Sequence, residues 1–592
     1  MTLNPQAIAN MQKGLSKIYR KEILASAELH RVLDLPKVDW EKAEDLESFT
    51  ALATRSLKLP QGTQTLWPQQ AAALRYAHDC GGLFGPIPVG NGKTLISFLA
   101  PVVLDSKRPL LIVPARLRDK TYREFAVLEQ HWKSHPGLQV VSYEKISNAS
   151  GTAFLQKHRP DLIIFDEVHK LKNKGAAVTR KISAWMRTFP ETRILAMSGT
   201  VTKRSLLDFN HILEWALPQG CPLPKPRLEV EAWAAAVDEI KPHEQREPTE
   251  PGALAMLCDP VERTQGREGV RKALRRRIQQ TPGVLACRGQ KVDASLNISL
   301  VLEAGYGRVV RGLAKKLQEG VLPNGDVFLV EGKEGSAAAL NARWRTMRTL
   351  TSGFWYDWDP KPPADWMELR AGWKRVVRRL LEEHLPGLES EALVTRAAQQ
   401  RKLGASAYEL YERWAGVRNE HKWDVVPVWV DDAIVQRVAK WVKVHNGLIW
   451  VSEVALGERL EKELGLPYFH EMGKDRLGRP VMSTRPSDGS VVVSVASISD
   501  GQNLQAWNEN LVISPPPTGS VWEQMIGRTH RPGQLADEVW FEVVIGCRVE
   551  WECWKQAVRD ATFQTELEAP KKLTYATIDR TFSMPVEDGE LW

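Results

Sequence analysis

The run Gly90-Asn91-Gly92-Lys93-Thr94 follows a short apolar stretch, Gly82 to Phe84, and leads into Leu95-Ile96-Ser97-Phe98-Leu99. Strand, glycine loop and helix in that order make a phosphate-binding arrangement. The glycines let backbone N–H groups turn inward, and the helix points its N-terminus at the anion. Gly90, Asn91 and Gly92 are expected to supply the loop, Lys93 to reach the β- and γ-phosphates of ATP, and Thr94 to hold Mg²⁺. The full pattern has a glycine where Ile87 stands, and Pro86 and Pro88 flank that position, so the early half of the loop should differ in shape. A second element is Leu162-Ile163-Ile164-Phe165-Asp166-Glu167-Val168-His169, an apolar strand ending in two acids. Strand ends of a parallel sheet open on its crevice, and adjacent carboxylates are costly without a cation. Asp166 is expected to hold Mg²⁺ through water, and Glu167 to orient or deprotonate an attacking water.

Asp-Glu-x-His after a phosphate loop resembles the signature of superfamily 2 helicases. The continuation Lys170-Leu171-Lys172-Asn173 is similar to the D-E-x-H-x-x-K-N run of the Swi/Snf-type ATPases, a branch that contains chromatin remodellers and bacterial and phage DNA translocases. Leu66-Trp67-Pro68-Gln69-Gln70 resembles that family's L-x-x-x-Q element, which implies that Gln70 reads the adenine. Ile112-Val113-Pro114-Ala115-Arg116-Leu117 and Val141-Ser142-Tyr143-Glu144 resemble elements that touch the nucleic-acid backbone, implying such a role for Arg116, Ser142 and Tyr143. Ser198-Gly199-Thr200 is similar to the motif that couples the nucleotide site to lobe movement, with His169 as a further coupling residue; Val201 stands where the family has proline.

In the second half, Ser499-Asp500-Gly501-Gln502-Asn503-Leu504-Gln505 partly resembles G-x-G-L-N-L. Gln524-Met525-Ile526-Gly527-Arg528-Thr529-His530-Arg531-Pro532-Gly533-Gln534 looks like Q-x-x-G-R-x-x-R-x-G-Q. The resemblance implies that Gln524 binds nucleotide, that Arg528 and Arg531 are arginine fingers on the γ-phosphate, and that Ser452 and Asn503 face nucleic acid.

The elements that must position these residues are two α/β stretches, about Leu66 to Leu217 and about Val435 to Val544. Expected strands are Leu110–Val113, Gln139–Ser142, Leu162–Phe165 and Ile194–Met197 in the first, and Leu448–Ser452, Val491–Val495, Leu511–Ile513 and Val539–Val544 in the second. Runs this apolar suit strands covered on both faces. Residues 222 to 430 are instead rich in Arg, Trp, Glu and Ala with helical periodicity. The expected fold is therefore α/β: two RecA-like parallel-sheet lobes with helical insertions. The expected division is an N-terminal helical segment (1–50), lobe 1 (51–290, insertion about 222–280), lobe 2 (291–560, insertion about 310–430) and a tail (561–592). Met1 to Lys21 reads as an amphipathic helix rather than a secretory signal.

The 592 residues are enough for two large domains. Eighty basic against 72 acidic residues leave a net +8, which permits a nucleic-acid partner without arguing for one. No apolar run of membrane-spanning length occurs. Six scattered cysteines form no C-x-x-C pair, which disfavours a zinc ribbon or disulfide scaffold and makes a reducing cytoplasm the expected location; the resemblance to bacterial and phage members implies that of a bacterium or phage-infected host. The tryptophans, 22 in all, are dense between Trp344 and Trp450 and read as helix packing rather than base stacking. The run Arg271-Lys272-Ala273-Leu274-Arg275-Arg276-Arg277 reads either as a charged helix face or as a phosphate-contacting helix. Taken with the resemblance, these features lead to the expectation of an ATP- and Mg²⁺-dependent motor on double-stranded DNA. The alternatives are a strand-separating helicase on DNA or RNA, or the motor subunit of a defence or restriction complex.

Overall fold

A computed structural model describes residues 22–88, 90–199, 205–238, 249–287, 292–303, 305–325, 337–383, 385, 387–388, 390–420, 422–498, 502–567 and 570–580. The expected helix at Met1 to Lys21, Thr200 and Val201, and Ser499 to Gly501 lie outside the described residues. The chain divides into two compact units, one comprising Met1–Gly289 with Phe563–Pro570, the other Gln290–Thr562 with Lys571–Trp592.

The first unit is built on five parallel strands: β1 (Leu83–Pro86), β2 (Pro109–Val113), β3 (Gln139–Ser142), β4 (Leu162–Asp166) and β5 (Arg193–Ser198), in the order β1-β5-β4-β2-β3. Side chains alternate across a strand, so the uninterrupted apolar runs feed two cores. Leu110, Ile112, Ile163, Phe165, Ile194 and Ala196 enter one. Leu111, Val113, Leu162, Ile164, Leu195 and Met197 enter the other. Burial of both faces is why these segments lack the polar alternation of a half-exposed sheet.

The second unit repeats the plan with seven strands. They are β6 (Ser295–Leu302), β9 (Leu448–Val451), β10 (Tyr468–Phe469), β11 (Val491–Ser494), β12 (Glu509–Ile513), β13 (Glu538–Ile545) and β14 (Thr577–Arg580), ordered β10-β11-β9-β12-β13-β6-β14 and parallel throughout. Leu448, Trp450, Val491 and Val493 point into one core; Ile449, Val451, Val492 and Leu511 point into the other. In both sheets the strand that opens the unit pairs with the strand closing the α/β run (β1 with β5, β6 with β13), and the penultimate strand comes next. Two RecA-like lobes are the result.

Among the described residues, the insertions are helical with one exception. In the second unit an antiparallel ribbon, β7 (Phe354–Asp359) with β8 (Asp424–Trp429), carries the helices Ala364–Glu382, Glu391–Gln399 and Ala405–Val417. This module has its own core of Trp373, Val377, Leu380, Val394, Ala398 and Tyr411. Trp355, Trp366, Trp373, Trp441 and Trp450 are all buried, so tryptophan in this region serves packing; Trp344 is 40% exposed.

The arginine run lies on the helix Gly266–Gln279 of the first unit. Arg271 pairs with Glu566 at 3.1 Å, Arg275 donates to the Thr565 carbonyl, and Arg276 pairs with Asp259 at 3.1 Å and donates to the Leu257 carbonyl at 3.1 Å. Arg277 is buried and donates to the carbonyls of Leu35 and Pro36, both at 3.0 Å. These guanidinium groups fasten the helix to its own unit, which removes the phosphate-contacting alternative for this run. Removing the Arg277 side chain strands two carbonyls and opens a cavity. Arg277→Ala is therefore expected to cost about 2 kcal/mol, read as a lower midpoint in thermal unfolding; an unchanged midpoint would refute the clamp.

Candidate nucleotide site

Sheet order explains how distant motifs meet. Because β5 lies between β1 and β4, the residues that follow these three strands emerge side by side. Pro86 is in register with Ser198, and Met197 with Asp166. The phosphate loop, the carboxylate pair and Ser198-Gly199 thus share one edge of the sheet.

The loop leaves β1 by a tight turn in which the Ile87 N–H donates to the Gly85 carbonyl at 2.8 Å. Ile87 itself is fully buried in the core beneath the loop. That is the physical reason for the missing glycine: the position faces inward and is used as a packing anchor. Gly92 caps the helix Lys93–Val103 at φ 77°, a left-handed conformation that L side chains resist. A Cβ there would also lie 1.9 Å from Gln70 Nε2. Gln70 is therefore seated against the loop. Its Oε1 accepts from the Trp67 N–H at 2.8 Å, fastening the start of the helix Pro68–Cys80 and leaving the amide nitrogen toward Gly92.

Lys93 donates from Nζ to the Ile87 and Pro88 carbonyls at 3.0 and 3.4 Å. Its positive charge also acts on both acids of the β4 end. Asp166 is pushed above the usual carboxylate range, by burial first and then by the Glu167 charge, against the pull of Lys93. Although the residue as a whole is only half-buried, Asp166 Oδ1 is sealed from solvent and has no hydrogen-bond partner in the structure. Burial alone would raise the Glu167 carboxyl too, but Lys93, His169 and Ser198 outweigh it and hold it well below the usual carboxylate range. Glu167 adopts φ 58°, ψ 50°, an uncommon conformation for a non-glycine residue, as found at functional turns. Its Oε2 accepts from Ser198 Oγ at 3.0 Å and lies 3.2 Å from His169 Nδ1, and His169 Nδ1 is itself 3.0 Å from Ser198 Oγ. Glu167, His169 and Ser198 thus form a closed triangle.

The sequence does not single out Glu124, and it shows Gln534 only as the last residue of the run Gln524 to Gln534. Glu124, on the helix Arg118–Leu128, accepts from Thr94 Oγ1 at 3.1 Å and adds a third carboxylate near Asp166. Gln534 donates to the carbonyls of Trp507 and Thr529 at 3.0 and 3.1 Å, and so ties the loop after Gln502 to the end of the helix Gly519–Thr529. Glu124 has no local signature and is recognisable only from its partner Thr94.

The expected nucleic-acid residues fall into different settings. Arg116 is exposed beyond β2 and within electrostatic range of Glu144 and Glu167. Ser142 is buried and caps the helix Tyr143–Ser147 by accepting from the Lys145 N–H at 3.1 Å. Tyr143 is 4% exposed, and its hydroxyl donates to the Asp166 carbonyl at 2.9 Å. Its place is support of the carboxylate strand end, unlike the backbone contact expected for it. In the second unit Ser452 is half-buried after β9, Gln524 is half-buried on the helix Gly519–Thr529, and Asn503 is exposed and accepts from Arg531 Nη1. Arg528 is 3% exposed, with Nη1 donating to the Gln502 carbonyl at 3.3 Å.

The donor set fits a nucleotide with a divalent cation. Asp166 Oδ1 is a buried acceptor lacking a donor, Thr94 on the loop helix is bonded to Glu124, whose charge reaches Asp166, and Lys93 supplies a cation at the loop's mouth. Ser198→Ala removes the hydroxyl that bridges Glu167 and His169. It is expected to lower nucleoside-triphosphate turnover by about 10–100-fold with nucleotide affinity retained; equal turnover in the two proteins would show the triangle to be idle.

Residues 81–203, from the start of β1 past the end of β5, match the family model of the type III restriction enzyme res subunit. That domain is a helicase-like ATPase of superfamily 2. The similar segment contains the phosphate loop, Asp166, Glu167, His169 and Ser198, and supports a nucleoside triphosphatase of the helicase kind.

Proposed function

We propose that the chain is an ATP-driven motor of the Swi/Snf type that tracks along duplex DNA. The observation that carries the nucleotide half of this reading is the sealed, partnerless Asp166 Oδ1 beside a loop whose lysine acts on the same carboxylates. The DNA half is supported by the similarity of residues 81–203 to a restriction-enzyme motor subunit and by the Swi/Snf-like runs at Asp166 to Asn173 and Gln524 to Gln534.

The roles follow from chemistry. The amides of Gly90, Asn91 and Gly92 cradle phosphate, and Lys93 binds the β- and γ-phosphates. Thr94 and Asp166 hold Mg²⁺, which when bound neutralises charge on the phosphates. Gln70 and Gln524 contact the nucleotide. Glu167, kept ionised by Lys93, His169 and Ser198, orients a water for attack on the γ-phosphate. Arg528 and Arg531 are assigned to charge developing on that phosphate, where one such guanidinium raises the rate by about 10³–10⁵ in comparable enzymes. Arg531 then exchanges its Asn503 contact for phosphate. His169, Ser198, Gly199 and Thr200 relay the state of the γ-phosphate to lobe movement. Arg116, Ser452 and Asn503 hold the nucleic-acid backbone.

A second reading, a motor subunit within a restriction or defence assembly, is favoured by the res-subunit similarity itself. Lys93→Ala is expected to abolish hydrolysis stimulated by duplex DNA and leave DNA binding intact; undiminished hydrolysis would contradict the site. Comparing duplex DNA, single-stranded DNA and RNA as stimulants tests the track: the proposal requires duplex DNA to be the strongest. Displacement of a triplex strand without unwinding of a fork is expected of a translocase, and fork unwinding would favour a strand-separating helicase.

A further inference from the structure

The helix Arg308–Gln318 of the second unit has one apolar face and one cationic face. Val310, Ala314 and Leu317 are fully buried on the first. Arg308, Arg311, Lys315 and Lys316 are exposed on the other, and the helix sequence contains no acid. Arg308, Arg311 and Lys315 stand at spacings of three and four residues, so they line one stripe. Among the described residues, Arg308, Lys315 and Lys316 hold no ion pair within 4.0 Å. The contrast with the helix Gly266–Gln279 is direct, because its arginines reach carboxylates or carbonyls of their own unit.

Gly312 sits in this stripe, one residue after Arg311 and four after Arg308. Glycine inside a helix is unfavourable, and its usual justifications are a positive φ or a close internal neighbour. Gly312 has neither: a Cβ built there would meet nothing within 4 Å, and its φ is not in the left-handed region. The bare backbone is therefore an open floor flanked by cations, a place where an anion outside the protein can approach closely.

From Arg308, Lys315 and Lys316, which among the described residues hold no ion pair, beside an open glycine, we infer that this helix face is a phosphate-backbone contact for duplex DNA. The inference rests on the duplex-DNA reading above and adds a surface to it. From Arg308 to Lys315 the helix rises about 10 Å, which brings roughly three phosphates of one strand into range. The occupant is recognised by its repeated charge, so the contact carries no sequence preference.

The test is binding of the full chain to a fluorescent DNA duplex over a range of salt. Replacing Arg308, Lys315 and Lys316 together with Gln is expected to weaken binding by about tenfold or more and to reduce the slope of log affinity against log salt by roughly 2–3. Hydrolysis without DNA stays at the wild-type rate. Gly312→Leu is expected to hold or raise the thermal midpoint, since leucine is the better helix former, while weakening duplex binding by covering the floor. A purely structural role for the face would lower stability and leave affinity alone. Wild-type affinity and salt slope in both variants would overturn the inference. If the wild type binds duplex through this face but duplex fails to stimulate hydrolysis, the motor reading falls and the contact surface stands.

Discussion

Everything proposed for the first unit depends on one electrostatic constraint: two adjacent carboxylates at the end of a buried strand, facing one ammonium. Burial penalises both Asp166 and Glu167 in their charged forms. Lys93 offsets that penalty for both, and His169 and Ser198 add hydrogen bonds to Glu167. The outcome is an asymmetric pair, with Glu167 firmly ionised and Asp166 drawn toward protonation. In the proposed site that asymmetry would divide the labour: a fixed anion to orient water by hydrogen bonding, beside a carboxylate that gains most from a metal cation. Lobe architecture serves the arrangement by placing β5 between β1 and β4, so that loop, acids and Ser198 share one edge.

The second unit uses the same winding for a different end. Its counterpart region gathers Asn503, Arg528, Arg531 and Gln534 around the end of the helix Gly519–Thr529. Arg531 is engaged by a neutral amide instead of a carboxylate. A neutral acceptor positions a guanidinium without neutralising it, which suits the phosphate contact proposed for Arg531. Arg528, buried and bonded to a backbone carbonyl, is held more tightly.

The strand cores were legible in the sequence because double-sided burial writes an unbroken apolar run. Leu162–Phe165, Leu110–Val113 and Val491–Val495 all fall on observed strands within a residue or two. β6 escaped because Asn297 and Ser299 alternate with Leu296, Ile298 and Leu300, and because inserted helices separate it from the rest of its sheet. The ribbon of β7 and β8 was hidden in a region whose composition reads as helix, and β14 in a short stretch of the expected tail. Site residues with local signatures (Lys93, Asp166, Glu167) could be named from spacing. Roles defined by partners could not be read there: that of Glu124 shows only from Thr94, that of Tyr143 only from the Asp166 carbonyl, and that of the Arg271 to Arg277 run only from acceptors such as Glu566, Thr565 and Leu35. Local charge indicates a cationic helix; only the fold says whether the cations are already spoken for.

The most direct measurement is calorimetric titration of a non-hydrolysable ATP analogue into the full chain, with and without Mg²⁺, for the wild type and Asp166→Asn. If the sealed Asp166 oxygen is the cation's place, Mg²⁺ strengthens nucleotide binding in the wild type. The substitution then erases that gain and preserves the Mg²⁺-free affinity. An Mg²⁺ enhancement of equal size in both proteins would contradict the account.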